Sequence, residues 1–450
     1  MKHHTVEDNY TMLTQAPVPR LIVKMAIPTI ISMLVTALYN LADTFFVSQI
    51  NTQATAAVGI SFSAMAVIQS LGFFFGHGSG NYMARELGAQ RRKEATKMAA
   101  TGFYLAFLLG VLLALLGYFF ITPLSTLLGS TPTILPYTEQ YLGIVLLNAP
   151  FFSASLALNN QIRLQGNAVY SMVGIVSGAV INVLLDPVFI FLFDWGITGA
   201  AIATVVGQLC SFFLLLYMTF RGDTLPVHPK DFSPTWKNIK EIIHGGAPSL
   251  TRQSLASLAT ILMNVAAGAY GDAAIAGMTI VSRIGFFLQS VIIGFGQGFQ
   301  PVCGFNYGAQ QFDRVLQGFW FCCKVAFAYL LFCAITGITL AEEVVGLFRD
   351  DAEVIAVGAA ALRWQLVAFP LSAWTTISNM MLQTIRKSVR ATVLSSARQG
   401  LFFIPLIFIL PRFLGLQGVE MCQATSDILT FFLAIPLTYG VLKEMKAHVQ

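Results

Sequence analysis

Residues 98–138 read MAATGFYLAFLLGVLLALLGYFFITPLSTLLGSTPTILPYT, without one Asp, Glu, Lys or Arg. A helix that crosses a bilayer needs only about 20 apolar residues in a row. This run holds one span and then a break at Gly129, Ser130, Thr131 and Pro132, residues that favour turns. Further runs free of charge cover 25–42, 44–84, 140–162, 164–185 and 195–220, then 253–271, 284–312, 325–341, 365–385, 399–411 and 428–442. Buried helices of soluble proteins do not stay uncharged so long and so often. Only 10% of the 450 residues are charged and 56% are hydrophobic, whereas a soluble domain is about 25% charged. In lipid the backbone must satisfy its own hydrogen bonds, which leaves helices or closed barrels. The runs are too continuous for alternating barrel strands. The chain is therefore expected to be an all-α integral membrane protein of about twelve transmembrane helices.

The expected spans are 22–49, 54–83, 95–121, 136–163, 168–193 and 197–220, then 243–270, 275–303, 315–340, 356–384, 393–414 and 418–442. The two sets of six are repeats. A shift of 220 pairs Pro28 with Pro248, Gln69 with Gln289, Pro150 with Pro370 and Asn159 with Asn379. It also lays Gly88, Ala89 and Gln90 on Gly308, Ala309 and Gln310. Six spans per repeat give both halves the same orientation, and substrate sites of such transporters lie between the halves. The reading is two homologous six-helix lobes around a central cavity. The N-lobe is 21–220 and the C-lobe 241–442, with a linker at 221–240 and tails at 1–20 and 443–450.

Charge follows this topology. With alternating spans, most of the 26 Lys and Arg, Arg163 among them, fall on one side, which the positive-inside rule makes cytoplasmic. Both termini are then cytoplasmic and the membrane is the cell's inner (plasma) membrane. The net charge of +5 needs no nucleic-acid partner. The first 20 residues are polar, with Pro17 and Pro19, and read as no cleavable signal, so the first span directs insertion. The six cysteines form no CxxC pair and read as small apolar residues. No Gly-rich loop ends in Lys-Ser/Thr, so ATP is not the expected energy source. No hydrolytic or transfer motif occurs, and the protein is not expected to be an enzyme or to carry a cofactor.

Acids inside spans are costly, and so they point to function. Asp43 lies well inside the first span and Asp186 inside the fifth. Asn182 precedes Asp186 by four residues and shares its helical face, and Thr204 in the sixth span can join them. Two carboxylates, an amide oxygen and a hydroxyl suit a hard monovalent cation such as Na⁺, or a shared proton. Asp427 in the last span stands alone, either as a structural contact, bonded by Gln423 and Ser426, or as a substrate contact. The glycines around His77 (Gly76, Gly78 and Gly80) suit close helix packing, and His77 itself suits a polar contact between helices. Pro28, Pro150, Pro187, Pro301, Pro370 and Pro405 lie in spans and can bend them. Pro187 follows Asp186 directly.

Several of these residues resemble one family as a set. They are Pro28 with the run Leu38, Tyr39, Asn40, Leu41, Ala42 and Asp43; Arg163 with Gly166 and Asn167; Asn182 with Asp186 and Pro187; and Pro301 with Gly304, Phe305, Asn306, Tyr307, Gly308 and Ala309. The chain resembles the multidrug and toxic compound extrusion (MATE) family over essentially its whole length, in its DinF-like or MepA-like branches. The resemblance implies a monomeric antiporter that exports amphipathic, often cationic drugs or metabolites in exchange for H⁺ or Na⁺. It implies a cation site of Asp43, Asn182, Asp186 and Thr204, and an N-lobe cavity position at Asn159. Tyr39, Asn40 and Gln289 are the other candidates for the substrate cavity. Another branch places acids on the seventh and tenth spans. Here those spans have none in their interiors, and Arg252 and Gln253 occupy the seventh, so the N-lobe site is expected to act alone. The competing expectation is a flippase for a lipid-linked precursor, with Arg252, Arg283, Arg363 and Arg398 forming a basic cavity.

Overall fold

A computed structural model describes residues 6–221 and 224–449. The described residues form helices and the turns between them. In chain order the helices are α1 (Val6–Gln15), α2 (Val18–Ser48), α3 (Thr52–Gly88), α4 (Arg92–Phe119), α5 (Ile121–Leu127), α6 (Leu135–Leu147), α7 (Ala149–Leu164), α8 (Ala168–Pro187) and α9 (Gly196–Thr219). The second half holds α10 (Trp236–Gly268), α11 (Asp272–Gly308), α12 (Phe312–Thr339), α13 (Ala341–Gly346), α14 (Ala352–Ala368), α15 (Ser372–Thr384), α16 (Ser388–Ser396), α17 (Phe403–Leu414) and α18 (Leu416–Val449).

Among the described residues ten helices are long and apolar enough to cross a membrane, and α6 with α7, bent by 53°, makes an eleventh span. The twelfth is α10, long enough at 33 residues but more polar, because Lys237, Lys240, Glu241 and Arg252 lie along it. The bend after α6 falls at Pro150, in the first turn of α7. Pro370, its repeat mate, sits in a 3₁₀ turn between α14 and α15. A proline ring cannot continue the hydrogen-bond ladder, so each span breaks where its proline stands.

Packing follows the inverted logic of a lipid solvent. On α4 the buried face is Ala99, Phe103, Ala106, Gly110, Ala114 and Gly117, while Leu108, Leu112, Leu115 and Phe119 face outward. Small residues let helix backbones meet, and lipid solvates the large ones. The glycines near His77 do this as expected: a Cβ on Gly76 would lie 2.9 Å from Asn160 Cβ, and Gly78 touches the backbone of Ile242. The repeat recurs in fine detail. Gln90 and Gln310 both adopt φ of 59°, and Arg91 and Gln311 each donate their N–H at 2.8 Å to the carbonyl of the residue five earlier. Asn159 donates to Ser171 O and Asn379 to Ala391 O, each at 2.8 Å.

Three segments differ from the sequence reading. The stretch expected as an N-terminal tail contains α1, whose Leu13 is fully buried. Its C-terminal end is held by Asn306, which donates to Leu13 O at 3.0 Å, and by Arg314, which donates to Ala16 O at 2.6 Å. The expected linker is pinned: Leu225 N–H donates to Gln165 Oε1 at 2.7 Å, and Tyr104 donates to Val227 O at 3.1 Å. Its last residues already belong to α10, capped by Thr235. The C-terminal tail continues α18 without a break to Val449.

Candidate functional site

Helix α8 presents Gly174, Gly178, Asn182 and Asp186, one every fourth residue, all buried. Residues four apart share a helix face, and this face lies on α9 at Thr204, Gly207 and Ser211. The glycines set the distance. A Cβ on Gly207 would lie 2.6 Å from Gly178 O, and one on Gly178 would lie 2.5 Å from Gly207 O. Because the backbones come this close, Asn182 Nδ2 reaches Thr204 Oγ1 at 3.2 Å. Helix α2 packs on the same side of α8 and brings Asp43, 3% exposed, against Asp186, 0% exposed. The two carboxyl groups lie close enough to feel each other's charge. Asp43 Oδ1, both Asp186 oxygens and Asn182 Oδ1 have no hydrogen-bond donor among the described residues. Unpaired buried oxygens are expensive, and like charges side by side more so. A proton or a small hard cation relieves both costs. Directly after Asp186 the α-helix gives way at Pro187 to a π-helical turn, Val188–Leu192, so the acid stands at a break in its span.

The structure thus brings Asp43, Asn182, Asp186 and Thr204 together. Tyr39, one turn before Asp43, faces both acids. Tyr141 of α6, 1% exposed, packs with Ala200 and Ala201 of α9 beside the cluster. Nothing in the sequence singled Tyr141 out, because one Tyr in an apolar run looks like any core aromatic. Asn40 is half-buried, and its carbonyl accepts from Thr44 at 2.9 Å. Asn159 is turned to the α8 backbone at Ser171, as noted.

Gln289 lies elsewhere, in a C-lobe cavity of about 330 Å³ bounded by α10, α11, α14, α15 and α18. It donates to Thr376 at 3.1 Å. Asp427, in the same lobe, does not stand alone. Arg398, in a π-helical turn at Ala397–Leu401, grips it with two bonds of 2.7 and 3.2 Å, and Gln423 adds a third at 2.8 Å. Ser426, the other expected partner, instead donates to Arg398 O at 2.5 Å. Two turns before Asp427, Glu420 is 8% exposed and borders the same cavity. The reading of charge-free runs passed over Glu420 because it stands just ahead of the last run. The four arginines of the competing reading are not gathered in one place: Arg252 and Arg398 line the C-lobe cavity with Arg398 paired to Asp427, while Arg363 pairs with Glu342 and Arg283 lines a separate recess.

The lobes are joined at the end that carries the linker. Arg163, placed by sequence among the cytoplasmic charges, is 1% exposed between the lobes at this end. It donates to Gln297 O at 2.7 Å, Gln300 Oε1 at 3.1 Å and Asn160 Oδ1 at 2.8 Å. It also meets His77 Nε2 at 3.2 Å, while His77 Nδ1 lies 3.0 Å from Ser249 Oγ. A guanidinium only donates, so Nε2 accepts and the imidazole proton sits on Nδ1. His77 and Gln297, equivalent in the two repeats, thus clasp one arginine. Nearby Arg85 donates to Thr384 O at 2.6 Å and pairs with Glu241, which also holds Arg386.

Known proteins resemble this one in sequence and in shape. The multidrug export protein MepA of Staphylococcus saprophyticus is 25% identical over 418 residues, 92% of each chain. MepA of Staphylococcus aureus is 26% identical over 429 residues, 94% of each. A multidrug resistance MATE family transporter of the MOP superfamily, solved in an outward-facing conformation, superposes with a TM-score of 0.91 at 26% identity, covering 97% of this chain and 98% of that one. A MOP superfamily transporter from Pyrococcus furiosus, described as having a binding pocket of reverse polarity, superposes with a TM-score of 0.90 at 26% identity, covering 97% and 98%. The MatE family profile matches twice, over residues 28–188 and 248–409, once in each repeat, and the chain is a member of that family of membrane transporters.

Proposed function

We propose that the protein is a multidrug efflux antiporter of the plasma membrane, exporting amphipathic, often cationic compounds in exchange for H⁺ or Na⁺. The observation that carries this is the buried pair Asp43 and Asp186, of which Asp43 Oδ1 and both Asp186 oxygens have no donor among the described residues. Such a pair gains from binding a cation, and the gain is available to drive a change of state. Asn182 and Thr204 supply the remaining oxygens, and Tyr39 and Tyr141 lie beside the site. The export of drugs by the MepA relatives supports the substrate class.

Coupling requires that ion and drug favour different conformations. In this reading the cytoplasmic ends of the lobes are closed by Arg163, His77, Arg85 and Glu241, and the ion enters from outside. Ion binding draws Asp43 of α2 toward Asp186 of α8, where the π-helical turn after Pro187 lets the helix bend, and the drug leaves. The lobes then part at the Arg163 contact, and drug from the cytoplasm or the inner leaflet replaces the ion. Both termini face the cytoplasm and the working unit is a monomer.

The test is ethidium efflux from proteoliposomes under an imposed pH or Na⁺ gradient. One gradient is expected to drive efflux in the wild type, and Asp43→Asn is expected to abolish that dependence while drug binding persists. Gradient-driven efflux that is unchanged in Asp43→Asn would sink the proposal.

A further inference from the structure

The C-lobe cavity holds two charges that the fold leaves uncompensated. Arg398 lines it but is neutralised by the two bonds to Asp427. Arg252 of α10 also lines it, and among the described residues no carboxylate lies within 4.0 Å of its guanidinium. Glu420 of α18 borders the same space, 92% removed from solvent by its 8% exposure, and it makes no ion pair or hydrogen bond with the described protein. Buried ionisable groups in a membrane protein are ordinarily paired with each other or with backbone. Arg252, partly buried, and Glu420 line one cavity, and no ion pair joins them among the described residues. The same lining includes the apolar Met263, Met278, Phe286 and Phe403, the amide Gln289 and hydroxyls such as Thr376. A volume of about 330 Å³ falls within the range of small-molecule sites, which run from about 300 Å³ upward.

We propose that this cavity is a binding site for zwitterionic amphiphiles. Arg252 takes the ligand's carboxylate in a two-pronged contact, Glu420 takes its ammonium, and the methionine and phenylalanine wall covers the apolar body. The proposal deepens the efflux reading by naming a substrate class, and it separates two duties: the N-lobe acids hold the ion and the C-lobe charges hold the cargo. The absence of acids on the seventh and tenth spans then has a use, since an acid beside Arg252 would occupy the anion position permanently.

The experiment compares two forms of one dye by fluorescence polarisation on the purified full chain in detergent. One is a rhodamine with unsubstituted amino groups and a free carboxylate. The other is its methyl ester, a cation of almost the same shape. The wild type is expected to bind the free acid at least about tenfold more tightly, the range of one charge-assisted contact. Arg252→Gln is expected to erase that preference and Arg252→Lys to keep part of it, while Glu420→Gln weakens both dyes. Equal or tighter binding of the ester by the wild type overturns the proposal without any variant. So does a preference that survives Arg252→Gln in protein that elutes as a single species. Asp43→Asn is expected to keep the preference. If the preference holds while no gradient drives efflux, the export reading falls and this site stands.

Discussion

Substituting Gly207 with alanine is expected to disable the candidate cation site without touching any of its ligands. The added Cβ would lie 2.6 Å from Gly178 O and 3.0 Å from Asn182 Cβ, where ordinary contacts begin at 3.4 Å. Backbone oxygen cannot rotate away, so α8 and α9 must separate by roughly 0.8 Å, at an overpacking cost of about 1–3 kcal/mol. The bond from Asn182 to Thr204, now 3.2 Å, would lengthen to roughly 4 Å, beyond hydrogen-bonding range. Thr204 would leave the reach of an ion held by Asp43 and Asp186. A displacement of this size at a positioned site changes function by up to about a hundredfold. The assay is the ion concentration needed for half-maximal dye efflux from proteoliposomes, compared among wild type, Gly207→Ala and Gly59→Ala. A Cβ on Gly59 meets nothing within 4 Å, so that variant controls for the chemistry of the substitution. Gly207→Ala is expected to require at least about tenfold more ion, with Gly59→Ala unchanged. Equal ion dependence in all three would refute the claim that the α8–α9 approach sets the site.

Other outcomes follow from the same contacts. Asp427→Asn leaves the Arg398 guanidinium without its counterion and is expected to destabilise the protein by about 3 kcal/mol, whereas Arg398→Met combined with Asp427→Leu is expected to lie near wild type, because a lone buried charge costs more than an absent pair; thermal unfolding followed by fluorescence-detected gel filtration checks both. Arg163→Ala removes the contacts that close the linker end of the lobes, so Cys303, 0% exposed on α11, is expected to label faster with a polar maleimide in a background lacking the other cysteines. Leu13→Asp places a charge where the side chain is fully buried and is expected to undock α1, read as faster chymotryptic cleavage after Tyr10 within that helix.

Much of this was legible in the sequence because lipid imposes simple rules. Uninterrupted apolar runs located the spans, and the shift of 220 exposed the duplication down to Gln90 and Gln310. Asp43, Asn182, Asp186 and Thr204 were visible because polar residues at bilayer depth stand out, and the helical period placed Asn182 with Asp186. What escaped was whatever depends on which helices meet. Tyr141 carries no charge and lies far along the chain from its neighbours. The burial of Arg163 was hidden because two of its partners, Gln297 O and Gln300 Oε1, lie on α11, a helix of the other lobe. Glu420 sits near the start of its span, where acids usually meet water. The polarity of residues 1–20 and 221–240 suggested free chain, yet Leu13, Leu225 and Val227 anchor both, and single apolar residues among polar ones leave no period to read.

The docking of α1 also sets an order of assembly. This helix is synthesised before any span, yet Asn306, which bonds Leu13, lies 293 residues further on. At about 5–20 residues per second, translation needs roughly 15 to 60 s to cover that distance. Until then the buried face of α1 has no C-lobe to cover it. Its docking is thus a late event in biogenesis, one that joins an early segment of the chain to one made long after it and occurs only when α11 of the second lobe is in place. A chain stalled or cut before α11 would display that face, a mark by which a quality-control protease can tell an unfinished transporter from a finished one.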